Sequence, residues 1–359
     1  MVGTAIESPI RVRLQGRIVG IDVARGLAML GMVIAHYVWA GDDTGPAAAV
    51  ARAMGGRAMP LFMLLGGVGV TLLTRRSAHP DRGLVIRAAI LFLIGLLLDE
   101  TTDRIAIVLE FYGLLFLVAP VLRRLASWAL LTLAAVVTAV GAWTGQVAYW
   151  PPNPTNFDTV VDGLPAIRSL LIDGYYPFFP VFAFFAIGLV LGRLDLRDRR
   201  VAAVLAGVGA GVGLVSLLAA NVLTARIGID RVANRSTEAF DWARLVDVSG
   251  HSAMPAWVVS AAGTSVAVLG LSLLVAPRIP DLVRPIAVLG SVALSFYVFQ
   301  VLTTLVIPSP AETGLAREWL TVAVLYAGFT LAAILWKRWF RSGPLEALLR
   351  VGSTTRARR

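Results

Sequence analysis

The chain has 359 residues, of which 57% are hydrophobic and 15% are charged, and its mean hydropathy is +0.78. This composition excludes a water-soluble globular protein and is typical of an integral membrane protein. The lack of cysteine excludes disulfide scaffolds, thiolate nucleophiles and cysteine-ligated metals. With three histidines in total, a histidine-rich metal site is not expected. The formal charge of +10 is dispersed between apolar runs, which favours membrane topology over a nucleic-acid partner.

Apolar runs long enough to cross a hydrocarbon core of ~30 Å recur along the whole sequence. They predict an all-α fold, a polytopic membrane bundle of about ten transmembrane helices. The runs cover residues 18–39, 58–74, 84–98, 105–121, 126–148, 176–193, 201–224, 253–276, 284–306 and 318–339. The third and fourth runs are short, so these helices are expected either to tilt little or to pack as a hairpin.

The distribution of basic residues predicts the orientation of the bundle. Of the 32 Lys and Arg residues, 22 fall in the loops and termini on the side that holds the N-terminus, so both termini are expected in the cytoplasm. The predicted organisation is a cytoplasmic tail over 1–17, a single transmembrane domain over 18–340 and a basic cytoplasmic tail over 341–359. The longest external loops, 149–175 and 225–252, are too short for a domain of their own.

The first predicted helix carries charges inside an apolar run. A charge within a span costs at least ~2.5 kcal/mol, so it is a functional candidate by default. Asp22 and Arg25 interrupt the run, which argues against a cleavable signal peptide, and they are spaced to neutralise one another on one face. Arg25 and His36 are eleven residues apart, so their side chains point the same way, about 16 Å apart along the axis. Alternatively, the Asp22–Arg25 pair snorkels to the cytoplasmic surface and His36 is an ordinary interfacial residue.

The other two histidines fall on opposite sides of the predicted membrane. His79 lies in a cytoplasmic loop before Pro80 and is expected to be solvated. His251 lies just before the eighth span, on the same side as His36, where an imidazole can supply a base near neutral pH. An equally good reading makes His251 a loop-end residue before Pro255.

More polar groups are expected near the outer surface. Glu110 falls in the outer third of the fourth span, and Tyr297 and Gln300 fall in the outer half of the ninth. A carboxylate beside a histidine would orient its ring and raise its basicity, and Glu110 is a candidate for that role. The glycines of the run Gly66-Gly67-Val68-Gly69 are expected to allow close helix packing, since no strand precedes them as in a phosphate loop.

Short segments form an ordered set that covers nearly the whole chain. They comprise residues 17–31, 56–69, 112–116, 173–180, 188–195, 251–255 and 343–350. The set resembles the recurring segments of the heparan-α-glucosaminide N-acetyltransferase-like and YeiB-type membrane acyltransferases. The spacing of Arg25 and His36 also resembles the Arg/His signature of the related O-acyltransferases that modify surface polysaccharides.

One departure from the resemblance concerns the first external loop. The lysosomal enzyme has a catalytic histidine there, after an asparagine that ends the first helix, whereas this loop, 40–56, holds no histidine. His36 stands in the place of the asparagine. A mechanism through that loop residue is therefore not expected, nor is heparan as the acceptor. The preference for Arg over Lys and the Ala-rich composition are typical of a GC-rich bacterial genome and indicate a bacterial plasma membrane.

The first functional hypothesis is a membrane acyltransferase. It would move an acetyl or other acyl group from cytoplasmic acyl-CoA, such as acetyl-CoA, to a hydroxyl or amine of an extracytoplasmic sugar, cell-envelope glycan or lipid. His36 would act as general base or transiently acylated nucleophile, His251 would assist or bind the acceptor, and Glu110 would orient the base. No metal is expected. The remaining substrate-binding candidates are Asp22, Arg25, Arg57, Tyr297 and Gln300, and for the CoA phosphates Arg75 and Arg76 with Arg82 and Arg87.

Other hypotheses remain open. Topology alone explains the arginine cluster around Arg75 equally well. A proton-coupled transporter or flippase would use the same intramembrane charges, but it predicts repeats and Gly/Pro-broken helices in matching halves, which the sequence does not reveal. A structural or regulatory membrane protein would not need so many buried ionisable groups. The sequence leaves a homo-oligomer open.

Overall fold

A computed structural model describes residues 16–75, 77–102, 104–147, 178–227, 240–310 and 313–350. These residues contain helices and no β-strand, in agreement with the predicted all-α fold. The helices are α1 (Val19–Tyr37), α2 (Pro46–Met54), α3 (Ala58–Thr74), α4 (Pro80–Asp99), α5 (Leu109–Leu122), α6 (Ser127–Val147), α7 (Phe178–Leu191), α8 (Arg199–Ile227), α9 (Pro255–Val275), α10 (Pro280–Gly290), α11 (Ala293–Leu302), α12 (Leu315–Trp339) and α13 (Pro344–Leu348). Short 3-10 turns lie at Trp242–Val246 and Thr303–Leu305.

Six described helices are long and apolar enough to cross a membrane, or seven if one bent pair is counted as a span. They are α1, α2 together with α3, α6, α8, α9 and α12. The predicted number was about ten. The difference lies in α5 and α7, which have 14 residues each and rise only about 21 Å, and in α4, whose ends carry charges such as Arg82 and Asp99. As expected for the short third and fourth spans, α4 and α5 pack against each other as a hairpin.

The predicted ninth span, 284–306, is not one continuous helix. It begins earlier, at Pro280, and is bent by 65° between α10 and α11. The break is stabilised because Glu346 of α13 accepts hydrogen bonds from the amides of Leu294 and Ser295, at 2.8 and 3.1 Å. These amides belong to the first turn of α11, where backbone N–H groups have no hydrogen-bond acceptor within their own helix. A carboxylate from about fifty residues downstream therefore serves as the cap of a new helix end.

Two short helices were not predicted. α2 lies in the first external loop and begins with Pro46 at its first turn, a position where proline costs no hydrogen bond. α13 begins with Pro344 in the segment assigned to the C-terminal tail. Both are shorter than a membrane span, so neither appears as a long apolar run in the sequence.

Helix α1 lies at the centre of the bundle. It packs against α3, α9, α10, α11 and α12, and 13 of its 19 residues are buried. By contrast, α12 buries 4 of its 25 residues and α8 buries 7 of 29, so these helices form the periphery. The charged residues of α1 are therefore placed in the interior of the bundle and not against lipid.

Glycines allow the closest helix contacts. A Cβ atom on Gly67 would run into the carbonyl oxygen of Phe185, and one on Gly188 would run into that of Leu64. The predicted packing role of this glycine run is confirmed, since α3 and α7 meet backbone to backbone there.

We expect Gly188→Leu to destabilise the protein by about 1–3 kcal/mol, because the added side chain must push α7 away from α3. Gly211→Leu is the matched control, since a Cβ on Gly211 of α8 meets nothing within 4 Å. The measurement is the thermal unfolding midpoint of each purified variant in detergent micelles. Equal midpoints for the two variants would contradict the close α3–α7 contact.

Candidate functional site

A cavity of about 290 Å³ lies at the N-terminal end of α1, between α3, α4, α5, α11 and the C-terminal segment. We call it the basic cavity because, of the described residues that line it, five are cationic and one, Glu346, is acidic. The cations are Arg17, Arg25, Arg87, Lys337 and Arg341. They come from distant parts of the chain, so the fold assembles a site for an anionic group.

Asp22 fixes two of these cations. The Arg17 guanidinium donates to both carboxylate oxygens of Asp22 at 2.6 Å, and Arg25 donates to one of them at 3.1 Å. Burial opposes the charge of Arg17, but the hydrogen bonds and negative charge of Asp22 outweigh it and raise the pKa of the Arg17 guanidinium. The Asp22 side chain is 2% exposed, while those of Arg17 and Arg25 remain 35% and 25% exposed. The carboxylate is thus enclosed, and both guanidinium groups keep a surface that faces the cavity.

Glu346 lines the basic cavity, but its carboxylate oxygens accept hydrogen bonds from α11. Besides the two backbone amides, the hydroxyl of Ser295 donates to Glu346 at 2.6 Å. Lys337 also lines the cavity and donates to the carbonyl oxygen of Arg341 at 3.0 Å. The residues 341–349 therefore form a wall of the cavity.

An aromatic cluster lies at the inner end of the basic cavity. Phe62 and Tyr112 line the cavity, and the Tyr112 hydroxyl donates to the carbonyl oxygen of Phe62. Tyr297 stacks on Phe62 with ring centroids 6.4 Å apart and accepts a hydrogen bond from the amide of Val108 at 3.1 Å. This cluster lies between the cations and the side chains around Gln300. Gln300 follows Tyr297 by about one turn of α11.

His36 is held by Gln300. Its Nδ1 lies 3.2 Å from the side-chain oxygen and 2.9 Å from the side-chain nitrogen of that residue. The next residue, Tyr37, binds the hydroxyl of Thr303 at 2.7 Å, so α1 and α11 are joined at this end as well. In the tautomer in which Nδ1–H donates to the side-chain oxygen of Gln300, Nε2 carries the lone pair that can accept a proton. The amide partner was not predicted, although Gln300 itself was a candidate.

The structure does not give Glu110 the orienting role that the sequence suggested. Glu110 is fully buried against Gly95, and neither of its carboxylate oxygens has a hydrogen-bond partner among the described residues. Gln300 takes the place beside His36. The reason is that α5 presents Glu110 to its hairpin partner α4, whereas His36 faces α11.

His251 and Arg57 lie at a different place. The turn at His251, with a φ of 64°, packs its neighbour Gly250 against Gly56, and the ring centroid of His251 lies 6.3 Å from that of Trp257. Arg57 donates to the hydroxyl of Ser260 at 2.7 Å. Arg57 and Gly250 line a second cavity, of about 690 Å³, which His36 does not line.

The candidates for the CoA phosphates are separated. Arg87 lines the basic cavity, but Arg75 donates to the carbonyl oxygen of Arg193 at 2.7 Å and is not among the lining residues. Arg76 lies outside the described residues. Sequence reasoning missed Arg17, Lys337 and Arg341 as members of the site, because only the tertiary fold brings the two ends of the chain together. Within the described part of the chain, no group of three or more His, Asp and Glu side chains is arranged to hold a metal ion.

Two family profiles match the chain. The profile of the family described as heparan-alpha-glucosaminide N-acetyltransferase, catalytic, matches residues 17–224. A second profile, described as a protein of unknown function (DUF418), matches residues 196–356. No curated protein matches the chain significantly. The first match begins at Arg17 of the basic cavity and covers more than half of the sequence, so the chain belongs to the heparan-α-glucosaminide N-acetyltransferase catalytic family of membrane acyltransferases.

Proposed function

We propose that this protein transfers an acetyl or other short acyl group from cytoplasmic acyl-CoA to a hydroxyl or amine of an extracytoplasmic acceptor. The observation that carries the proposal is the arrangement along α1. Arg25 faces the basic cavity near one end of this helix, and His36, on the same helix face, is held by Gln300 near the other. A helix face with these two groups suits a reaction whose donor and acceptor come from opposite sides of a membrane.

The proposal includes the topology. Both termini are cytoplasmic, and the short helices α5 and α7 and the bent pair α10–α11 count as crossings in a total of about ten. Residues 18–340 then form one transmembrane domain, with 1–17 and 341–359 at the cytoplasmic surface of a bacterial plasma membrane. The alternation of basic loops supports this orientation, as does the meeting of Arg17, Lys337 and Arg341 at one end of the bundle.

The basic cavity suits the donor. The phosphates of acyl-CoA are anionic, and guanidinium groups bind phosphate through pairs of hydrogen bonds. Arg17, Arg25 and Arg87 would supply these bonds, with Asp22 holding two of the guanidinium groups in position. Beyond the cations, Phe62 and Leu109 provide apolar walls for the acyl-bearing arm.

His36 would act as the general base. Its Nε2 takes the proton from the acceptor hydroxyl or amine, the acceptor oxygen or nitrogen attacks the thioester carbonyl, and the CoA sulfur leaves and is protonated. A transiently acylated His36 is the covalent version of the same reaction. Tyr297 and Gln300 would line the path of the acyl group, Glu110 would exchange a proton within the bundle, and His251 and Arg57 would bind the acceptor.

One observation favours the transporter alternative. The bend of 65° between α10 and α11 is a discontinuous helix of the kind that transporters use at their binding sites. A transporter built from repeats needs a matching break in the other half, and the described residues contain a single bent pair. This alternative predicts substrate flux across sealed vesicles without acyl-CoA.

We expect His36→Ala to lower acceptor-stimulated CoA release by about 10²–10⁴-fold, the usual contribution of a general base. His79→Ala is the matched control, since His79 is an exposed residue ahead of α4. The measurement uses radiolabelled acetyl-CoA and purified protein in proteoliposomes, with a bacterial envelope extract as acceptor source. Full turnover by His36→Ala would rule out the assignment of the base, and flux without CoA release would favour the transporter.

We expect Lys337→Gln to raise the KM for acetyl-CoA about tenfold with little change in kcat, because the basic cavity loses one positive charge and attracts the donor phosphates less strongly. Arg338→Gln is the matched control: Arg338 follows Lys337 in α12, but it is exposed and does not line the basic cavity. Both constants come from the same proteoliposome assay. An equal KM for the two variants would place the donor site elsewhere.

A further inference from the structure

The second cavity is separate from the proposed donor site. It has a volume of about 690 Å³, within the range of pockets that enclose small-molecule ligands. Its walls are α1, α8 and α9, and its mouth lies at α2, the start of α3 and the turn at Ser249 and Gly250. We call it the outer cavity, because the proposed topology places its mouth at the extracytoplasmic surface.

Charge is confined to the mouth of the outer cavity. Among the residues that the structure describes, Arg52 and Arg57 are the charged ones that line it, and none of the lining side chains is acidic. Arg57 donates to the hydroxyl of Ser260 and Arg52 to the carbonyl oxygen of Asp43, both at 2.7 Å, so each is positioned by a neutral group. The mouth is therefore complementary to an anion.

Below the mouth the lining is apolar. It includes Leu27 and Leu30 of α1, Leu217 of α8 and Val268 of α9. Val268 is thirteen residues from the start of α9, so the cavity reaches about 20 Å along this helix, well into a hydrocarbon core.

The polar side chains of the lower cavity are already engaged by their own helices. The hydroxyl of Thr264 donates to the carbonyl oxygen of Ser260 at 3.0 Å, and that of Ser265 to Ala261 at 2.7 Å. Asn221 donates to the carbonyl oxygen of Leu217 at 2.7 Å. A sugar bound this deep would lose its hydration without gaining matched partners, whereas a hydrocarbon chain needs none.

We infer that the outer cavity binds an amphiphile with one hydrocarbon chain and an anionic head group. The chain lies along Leu27, Leu217 and Val268, and the head group lies at Arg52 and Arg57. Resting on the proposed function, this inference identifies the acceptor class as lipid-linked: the group that receives the acyl moiety is carried to the outer surface on a lipid phosphate.

The binding experiment uses hexadecyl phosphate with a photoreactive group in its chain, and purified protein in phosphatidylcholine nanodiscs. We expect labelled peptides from the cavity walls, at residues 27–31, 213–221 or 264–268. Leu217→Trp fills the cavity and should lower this labelling about fivefold or more, while Leu218→Trp, on the lipid-facing side with 54% exposure, should not. Val268→Phe tests the same wall from α9 if Leu217→Trp does not fold.

A second comparison tests whether the outer cavity recognises the anionic head group. Arg57→Gln should reduce the preference for hexadecyl phosphate over hexadecanol about tenfold, the effect of losing one charge-assisted hydrogen bond. Equal labelling of the two tryptophan variants would mean that the probe reports surrounding lipid only and would overturn the site. Protection by glucose 1-phosphate, which has no chain, as strong as by unlabelled hexadecyl phosphate would assign the cavity to a soluble acceptor.

A product experiment separates this inference from the proposed function. Membranes containing the protein receive radiolabelled acetyl-CoA and are then extracted with chloroform and methanol. Label in the lipid extract, lost in Leu217→Trp and kept in Leu218→Trp, is the expected result. Label confined to water-soluble or polymeric glycan would contradict a lipid-linked acceptor but leave the acyltransferase intact. If neither fraction contains protein-dependent label while the photoreactive probe still labels the cavity, the acyltransferase function is refuted and the lipid site is not.

Discussion

The site depends on one buried carboxylate. Asp22 lies on the central helix, and its two oxygens hold Arg17 and Arg25 at 2.6 and 3.1 Å. Removing either guanidinium would leave this enclosed carboxylate with one of its two cationic partners, and removing both would leave a buried charge without compensation. The same part of α1 is in backbone contact with α10, where Gly290 packs against the carbonyl of Asp22 and Gly26 packs against Ile286. The ion pair and the helix crossing therefore fix each other, and together they place the guanidinium groups at the basic cavity.

The break between α10 and α11 forms one wall of the basic cavity, beside α1. A continuous helix would bury its backbone amides and offer no room beside α1, whereas the bend at Ser291 brings Gly290, Ser291 and Leu294 to the cavity lining. The exposed amides of α11 require a partner, and Glu346 provides it from the C-terminal segment. This carboxylate belongs to the ordered segments that resemble the family, and its position explains why a residue so near the C-terminus bears on a site that starts at Arg17.

The parts of the architecture that depend on local sequence could be predicted, and the parts that depend on distant contacts could not. Apolar runs located most of the helices, since the cost of burying polar groups in lipid acts residue by residue. The Asp22–Arg25 pair and the glycine contact of α3 follow from helical spacing for the same reason. The partners Gln300 and Glu346 reach their targets across the fold, so spacing contains no signal for them. Arg17 is only five residues from Asp22, but it precedes the predicted span. The bend at Ser291 is also absent from the hydropathy, because the residues on both sides of it are equally apolar. The roles assigned to His36, His251 and Glu110 in the reaction remain predictions.

Helix α1 separates the two cavities. Leu27 and His36 are nine residues apart, which is about two and a half turns, so the face that lines the outer cavity is roughly opposite the face of Arg25 and His36. A donor in the basic cavity and a lipid chain in the outer cavity would thus flank the same helix without competing for space. In the proposed topology, their reactive ends would meet beyond the extracytoplasmic end of α1, where the helix no longer lies between them. His36 lies on the last turn of that helix, and Arg57 and the Gly250–His251 turn lie beside the other mouth. In the proposed mechanism, His36 is the base at the place where the donor and a lipid-linked acceptor would first come together. A catalytic role for His36 would then fit its position at the end of the helix.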